Sequence, residues 1–205
     1  MRANSRAFTR AYTRAYTRGF TLIELIIGIV VFSIIMLVII GVIGPQSRLS
    51  IEPIWQIRAS ELAQSLLTEI NAKSFDEQSD HTGGATRCNE AQSCTASGAL
   101  GPDSGETRNS FDDIDDYHGL NQTGASILNV QGQSMLNNGV SLYNGFTAQV
   151  SVYYDSNEDG INDDDADQNG VPDTGTLVAN VKRITITVIT PGGEPLTFAS
   201  YRWNF

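Results

Sequence analysis

The 205-residue sequence predicts an α+β chain in which a long N-terminal helix, membrane anchor plus amphipathic stalk, packs on an antiparallel β-sheet. Three observations predict it. An uncharged apolar run covers residues 25–44, an amphipathic repeat covers residues 54–73, and the C-terminal part contains short segments that alternate apolar and polar residues.

The apolar run is 20 residues long and is interrupted only by Ser33. As a helix it spans about 30 Å, the thickness of a bilayer's hydrocarbon core. A chain of this size has no core wide enough to surround such a helix. An ordinary cleaved secretory signal has a shorter apolar region with its cleavage site behind it. Ahead of the run, Arg2, Arg6, Arg10, Arg14 and Arg18 form a leader without acids, built from tandem copies of Arg-Ala-Phe/Tyr-Thr. Five arginines on that side predict a cytoplasmic N-terminus, a single pass and an external C-terminal part. Glu24 stands at the mouth of the helix. A carboxylate costs about 2.5–3.5 kcal/mol at the centre of a membrane helix and less near the interface.

Pro45 marks an end or a kink of the apolar segment, and Pro53 a second break. From Ile54 to about Lys73, Trp55, Ala59, Leu62, Leu66 and Ile70 recur at three- and four-residue steps. Arg58, Glu61, Gln64 and Glu69 take the other faces, which is the pattern of a helix with one buried stripe. The domain reading is therefore a leader over 1–19, an anchor over 20–44, a stalk over 45–75 and an exported head over 76–205. Ser79 to about Gln122 reads as a long polar loop. Strands are expected at Ser126–Gln131, Thr147–Tyr154, Val181–Thr190 and Leu196–Trp203, with a turn at Pro191-Gly192-Gly193-Glu194.

Charge bounds the partners. Without residues 1–19 the chain has eight basic and twenty-three acidic residues, a net charge of −15. Nucleic-acid binding needs a basic face, so nucleic acid is not an expected partner. Cys88 and Cys94 lie close together in the polar loop, too few for a structural zinc site. In an exported domain a short-loop disulfide is the expected state, with free thiols as the alternative.

Residues 155–173 hold eight acids and no base, with a period of ten. Asp155 matches Asp165, Asn157 matches Asp167, Asp159 matches Asn169, Gly160 matches Gly170 and Asp163 matches Asp173. Oxygen ligands at alternate positions, then a glycine at the sharp turn, are what a calcium loop requires. Position twelve departs from an EF-hand: Ala166 and Thr176 stand where a bidentate Glu belongs. The stretch looks more like the aspartate-rich calcium repeats of the thrombospondin type 3 kind. The competing reading is a solvated acidic loop. Calcium is the expected cofactor, ordering residues 155–173 between two strands.

The run Arg18-Gly19-Phe20-Thr21-Leu22-Ile23-Glu24 and the apolar stretch behind it resemble the N-terminus of type IV pilins and pseudopilins. In that family a membrane prepilin peptidase cuts after the glycine and the new N-terminal residue is methylated. The resemblance implies a cut after Gly19 and methylation of Phe20. Glu24 becomes the fifth mature residue, the position proposed in pilins to pair with the N-terminal amine of a neighbouring subunit. Opposite charges in low dielectric lower each other's desolvation cost, so the pairing is physically sound. It also implies a pilin-like fold, with the inner membrane before assembly and the pilus or cell surface after it. Finer likeness comes from Arg58-Ala-Ser-Glu-Leu-Ala-Gln-Ser-Leu-Leu-Thr-Glu-Ile, Ser74-Phe-Asp-Glu-Gln-Ser-Asp-His and Phe111-Asp-Asp-Ile-Asp-Asp-Tyr-His-Gly. These resemble the D subunits of mannose-sensitive haemagglutinin (MSHA) pili, which are minor pilins.

The implied function is a structural minor pilin. A type II secretion pseudopilin and a calcium-dependent, pilus-associated adhesin are the alternatives. An anchored enzyme is the weakest reading, because Gly-x-Ser-x-Gly and His-Glu-x-x-His are both absent and neither His81 nor His118 has a catalytic setting. In Phe111–Gly119 a metal or binding site competes with a loop capped by its own aspartates, and the capped loop is the expectation.

Overall fold

The computed structural model describes residues 19–49, 52–79, 86–90 and 92–205, and within the first helix the side chains through Gly41. The chain forms two compact units, one ending at Leu49 and one beginning at Ser50.

In the first unit, helix α1 runs from Leu22 to Leu49. Thr21 starts it: its Oγ1 accepts the Glu24 N–H at 3.3 Å, and its carbonyl accepts the Leu25 N–H at 3.2 Å. That is half of a Thr-x-x-Glu capping box, with Glu24 in the turn where the helix dipole favours an anion. Leu22–Gly41 has a mean hydropathy of 3.1 and none of it is buried. A helix apolar on every side is suited to lipid or to packing among other helices rather than to a half-wet surface. Ser33 returns its hydroxyl to the Ile29 carbonyl at 2.8 Å, so the one polar residue of the run is internally satisfied. Of the two expectations at Pro45, an end or a kink, the helix does not end there but continues four residues further, to Leu49.

The second unit begins with helix α2, Glu52–Asn71, with Pro53 in the first turn, where its missing N–H costs nothing. Ala59, Leu62, Ala63, Leu66 and Ile70 are buried, with Trp55 packed at the edge of the same core. Glu69, expected on a solvent face, is buried as well. Its partners explain why and are described below.

Four antiparallel strands follow in the order β1-β4-β5-β6: β1 (Asn121–Thr123), β4 (Thr147–Tyr154), β5 (Val181–Ile189) and β6 (Pro195–Trp203). In register, Val152 faces Ile184 and Ile184 faces Ser200. Ala148, Val150 and Val152 of β4 and Ile184, Ile186 and Val188 of β5 form one buried face, and the α2 stripe packs on it. The β5–β6 turn closes through the Thr190 N–H to Glu194 O at 2.9 Å.

Residues 126–131 are not a strand. Gly124–Ser126 is a 3-10 turn, and Asn129 Oδ1 accepts the N–H groups of Gln131 and Gln133, folding the segment back on itself. Behind it lies a small hairpin, β2 (Leu136–Asn137) and β3 (Val140–Ser141), turned by Asn138 and Gly139 at φ +51° and +80°.

The polar loop that precedes the sheet is stitched to it. Ser74 bridges Asp113, and Cys88 and Cys94 are disulfide-bonded, their Cα atoms 4.8 Å apart. The disulfide joins Phe75 and Tyr154 in a second, smaller core.

Candidate functional site

The acidic segment leaves β4 at Asp155 and forms two loops with the same hydrogen bonding ten residues apart. In the first, the Asp155 carboxylate accepts the N–H groups of Asp159 and Gly160 at 3.1 and 2.9 Å. In the second, Asp165 accepts those of Asn169 and Gly170 at 2.9 and 2.8 Å. Asn157 accepts from the Asp159 N–H, as Asp167 does from Asn169. Asp163 reaches back to the Ser156 N–H, as Asp173 does to Ala166. Gly160 and Gly170 sit at φ +89° and +83°, and the residues two before them, Glu158 and Gln168, are also left-handed. The periodicity of the sequence is thus a periodicity of the backbone.

All eight expected metal-ligand residues fall within these loops, but not in one cluster. They divide into Asp155, Asn157, Asp159 and Asp163 in the first loop and Asp165, Asp167, Asn169 and Asp173 in the second. Asp155 and Asp165 are buried and the other six are exposed. The donor set is all oxygen, hard and anionic, which fits calcium and does not suit zinc or copper.

Two features of this region depend on contacts distant in sequence, which the local pattern does not signal. Asp164, between the loops, accepts the Ser97 and Thr174 hydroxyls and the N–H groups of Thr174 and Gly175. The Ser97 and Thr174 hydroxyls, with those N–H groups, hold its carboxyl below the ordinary value. The sheet also supplies the base that the segment lacks. Tyr153, Arg183 and Tyr201 are cross-strand neighbours. Tyr153 donates to the Gly160 carbonyl, Tyr201 donates to Asp155, and the Arg183 guanidinium lies where a Cβ on Gly160 would be, 2.3 Å away. An open cleft of about 310 Å³ lies between the loops and β4, with His118, Tyr153, Asp165 and Gln168 among its walls.

The Phe111–Gly119 motif is a capped loop. Asp116 accepts the N–H groups of Asp112 and Asp113, and Asp113 accepts that of Asp116. His118 Nδ1 accepts the Val152 N–H at 3.1 Å, which docks the loop on β4. Tyr117 donates to Glu69 at 2.8 Å, and Arg108 pairs with the same carboxylate at 2.5 Å. That pairing is why Glu69 can be buried. The motif also meets Ser74-Phe75-Asp76, far away in sequence: Ile114 N–H donates to the Ser74 carbonyl, and Lys182 of β5 bonds both Asp76 and Asp115. His81 lies outside the described residues.

At the other end of the chain, Phe20 is exposed and Glu24 sits one turn into α1, on its capped N-terminus. Over residues 14–40 the chain matches the prokaryotic N-terminal methylation motif. No curated protein and no solved structure matches it. Residues 14–40 therefore carry an N-terminal methylation motif, a type IV pilin-like leader with the start of helix α1.

Proposed function

We propose that this chain is the precursor of a structural minor pilin of an MSHA-like type IV pilus. The observation that carries the reading is the methylation motif over residues 14–40, whose apolar part lies on an unburied helix of membrane length, Leu22–Gly41. In this reading the peptidase cuts after Gly19, Phe20 is N-methylated, and the helix resides in the inner membrane until assembly. The Glu24 carboxylate then pairs with the N-terminal amine of a neighbouring subunit, and the head is displayed outside. The stretches Ser74–His81 and Phe111–Gly119, likest to MSHA D subunits, support the subunit assignment.

The two acidic loops hold calcium in this proposal. Asp155, Asn157, Asp159 and Asp163 serve the first loop; Asp165, Asp167, Asn169 and Asp173 serve the second. A divalent cation in each loop would supply the positive charge that the segment lacks. This chain's own residues position the loops: Tyr201 and Tyr153 tie the first to the sheet, and Asp164 ties the second to Ser97.

Subunit stoichiometry in purified pili tests the assignment. A minor pilin is found in the filaments at a small fraction of the major subunit. A chain absent from pili whose deletion blocks type II secretion is a pseudopilin instead.

A further inference from the structure

Lys182 carries a charge into a fully buried place. It begins the inward-facing row of β5, and neither it nor Asp76 is exposed. Its Nζ bonds the Phe75 carbonyl at 2.7 Å, Asp76 Oδ2 at 3.0 Å and Asp115 Oδ1 at 2.5 Å. The rings of Phe75 and Tyr154 wall it at 4.6 and 5.6 Å, with the disulfide in the same small core. A third acid, Asp113, is also buried, two residues before Asp115 in the same loop.

Three acids around one lysine cannot all be ionised at low dielectric. Burial, and then the neighbouring Asp115 charge, push the Asp113 carboxyl up to about 8, so it holds its proton at neutral pH. The other two acids differ in their bonding. Asp76 accepts the N–H groups of Gln78 and Thr95 as well as the amine. Asp115 faces the amine with one oxygen, and its neighbour in the loop is the Asp113 acid. Amine and carboxyl are held in contact in a buried place, with the Asp113 acid in the same loop, the arrangement in which an intramolecular condensation gains most from proximity.

We propose that Lys182 and Asp115 condense into an intramolecular amide, with Asp113 and Asp76 relaying the protons. Asp113 gives its proton to the Asp115 carboxyl, and the Lys182 ammonium gives one to Asp76. The Nζ lone pair forms the new bond to Asp115 Cγ. The Cγ–O bond breaks, and that hydroxyl leaves as water with a second proton from Nζ. The third Nζ proton remains on the amide, and Asp76 returns its proton to Asp113. No oxidant, reductant or cofactor is consumed. The reaction removes a buried ion pair and expels a water, and it locks the loop of residues 111–119 to β5.

Intact mass of the full chain, purified in detergent, denatured and reduced, tests this without needing any variant to fold. The expected mass is one water below that of the reduced sequence. Chymotryptic digestion is expected to yield a branched peptide joining the Asp115 and Lys182 segments, and trypsin to leave the bond after Lys182 uncut. Full sequence mass with normal cleavage after Lys182 overturns the proposal. Lys182→Arg is expected to restore the water, and so is Asp113→Asn with its circular dichroism unchanged. An amide that still forms in Asp113→Asn overturns the role given to Asp113.

Discussion

Tyr201 donates its hydroxyl proton to the Asp155 carboxylate at 2.9 Å, tying strand β6 to the first residue of the acidic segment. Asp155 already takes two backbone N–H groups of its own loop. One carboxylate therefore sets both the loop's fold and its seat on the sheet. Tyr201→Phe is expected to cost about 1 kcal/mol in chemical denaturation, the ordinary net worth of one such bond. An unchanged midpoint would show that the backbone donors alone position the loop.

The two turn glycines are equivalent in conformation but not in surroundings. Both have positive φ, yet only Gly160 lies against Arg183, and the space around Gly170 is open. Gly170→Ala is expected to cost about 1–2 kcal/mol, the strain of a side chain in the left-handed region. Gly160→Ala is expected to cost more, because Arg183 must also move. Equal losses in the two variants would contradict the packing between Gly160 and Arg183.

Calcium is expected to raise the melting temperature over that in chelator, since a ligand at about 100 times its Kd adds about 2.7 kcal/mol. Asp163→Ala and Asp173→Ala are each expected to lower the number of ions bound in titration calorimetry. Equal melting temperatures with calcium and with chelator would sink the calcium reading.

Glu69 holds Tyr117 and Arg108 to helix α2. Glu69→Ala leaves a mostly buried guanidinium unpaired and is expected to destabilise by about 3 kcal/mol. Tyr117→Phe removes the bond to the Glu69 carboxylate and the one the hydroxyl accepts from Arg108, and is expected to cost about 2 kcal/mol. A smaller loss for Glu69→Ala than for Tyr117→Phe would reverse this ranking of the two interactions.

Asp113 sets a pH dependence. Its folded-state value is about 8, with burial the largest cause, against roughly 4 for an unfolded carboxyl. The folded chain then binds a proton that the unfolded chain lacks between those limits. The corresponding stability is present in full below about pH 4 and is lost as pH rises through 8. Denaturation midpoints of the wild type are expected to fall over that window more steeply than those of Asp113→Asn. Parallel pH profiles would show that Asp113 ionises normally.

Local patterns made much of this fold legible. Strand β4 falls where alternation places it, strands β5 and β6 differ from expectation by one residue at an end, and the α2 stripe follows its period. Period alone puts Glu69 on a solvent face; its partners, Tyr117 and Arg108, lie about forty to fifty residues away and no period announces them. Lys182 and Arg183 stand side by side at the start of β5. One is sealed among Asp76 and Asp115 and the other serves the acidic loop, and only the sheet register brings them there. Residues 126–131 have strand-forming types, but Asn129 turns the chain. Asn138-Gly139 is a sequence signal for the β2–β3 hairpin, and its two-residue strands are too short to show alternation. The ten-residue repeat, by contrast, carried its hydrogen bonding openly, because glycine and aspartate at fixed offsets dictate the turn.

Glu24 links the anchor to assembly in the proposed function. Glu24→Leu leaves the Thr21 cap in place and removes the membrane cost of the carboxylate, so the chain is expected to insert normally and fail to enter pili. Filaments that contain Glu24→Leu at wild-type levels would remove Glu24 from the assembly step.

The most direct measurement of the central claim is the N-terminal mass of the subunit recovered from assembled filaments. The account predicts a chain that begins at Phe20 and carries one methyl group on its amine. A subunit in filaments that still retains residues 1–19 would contradict it.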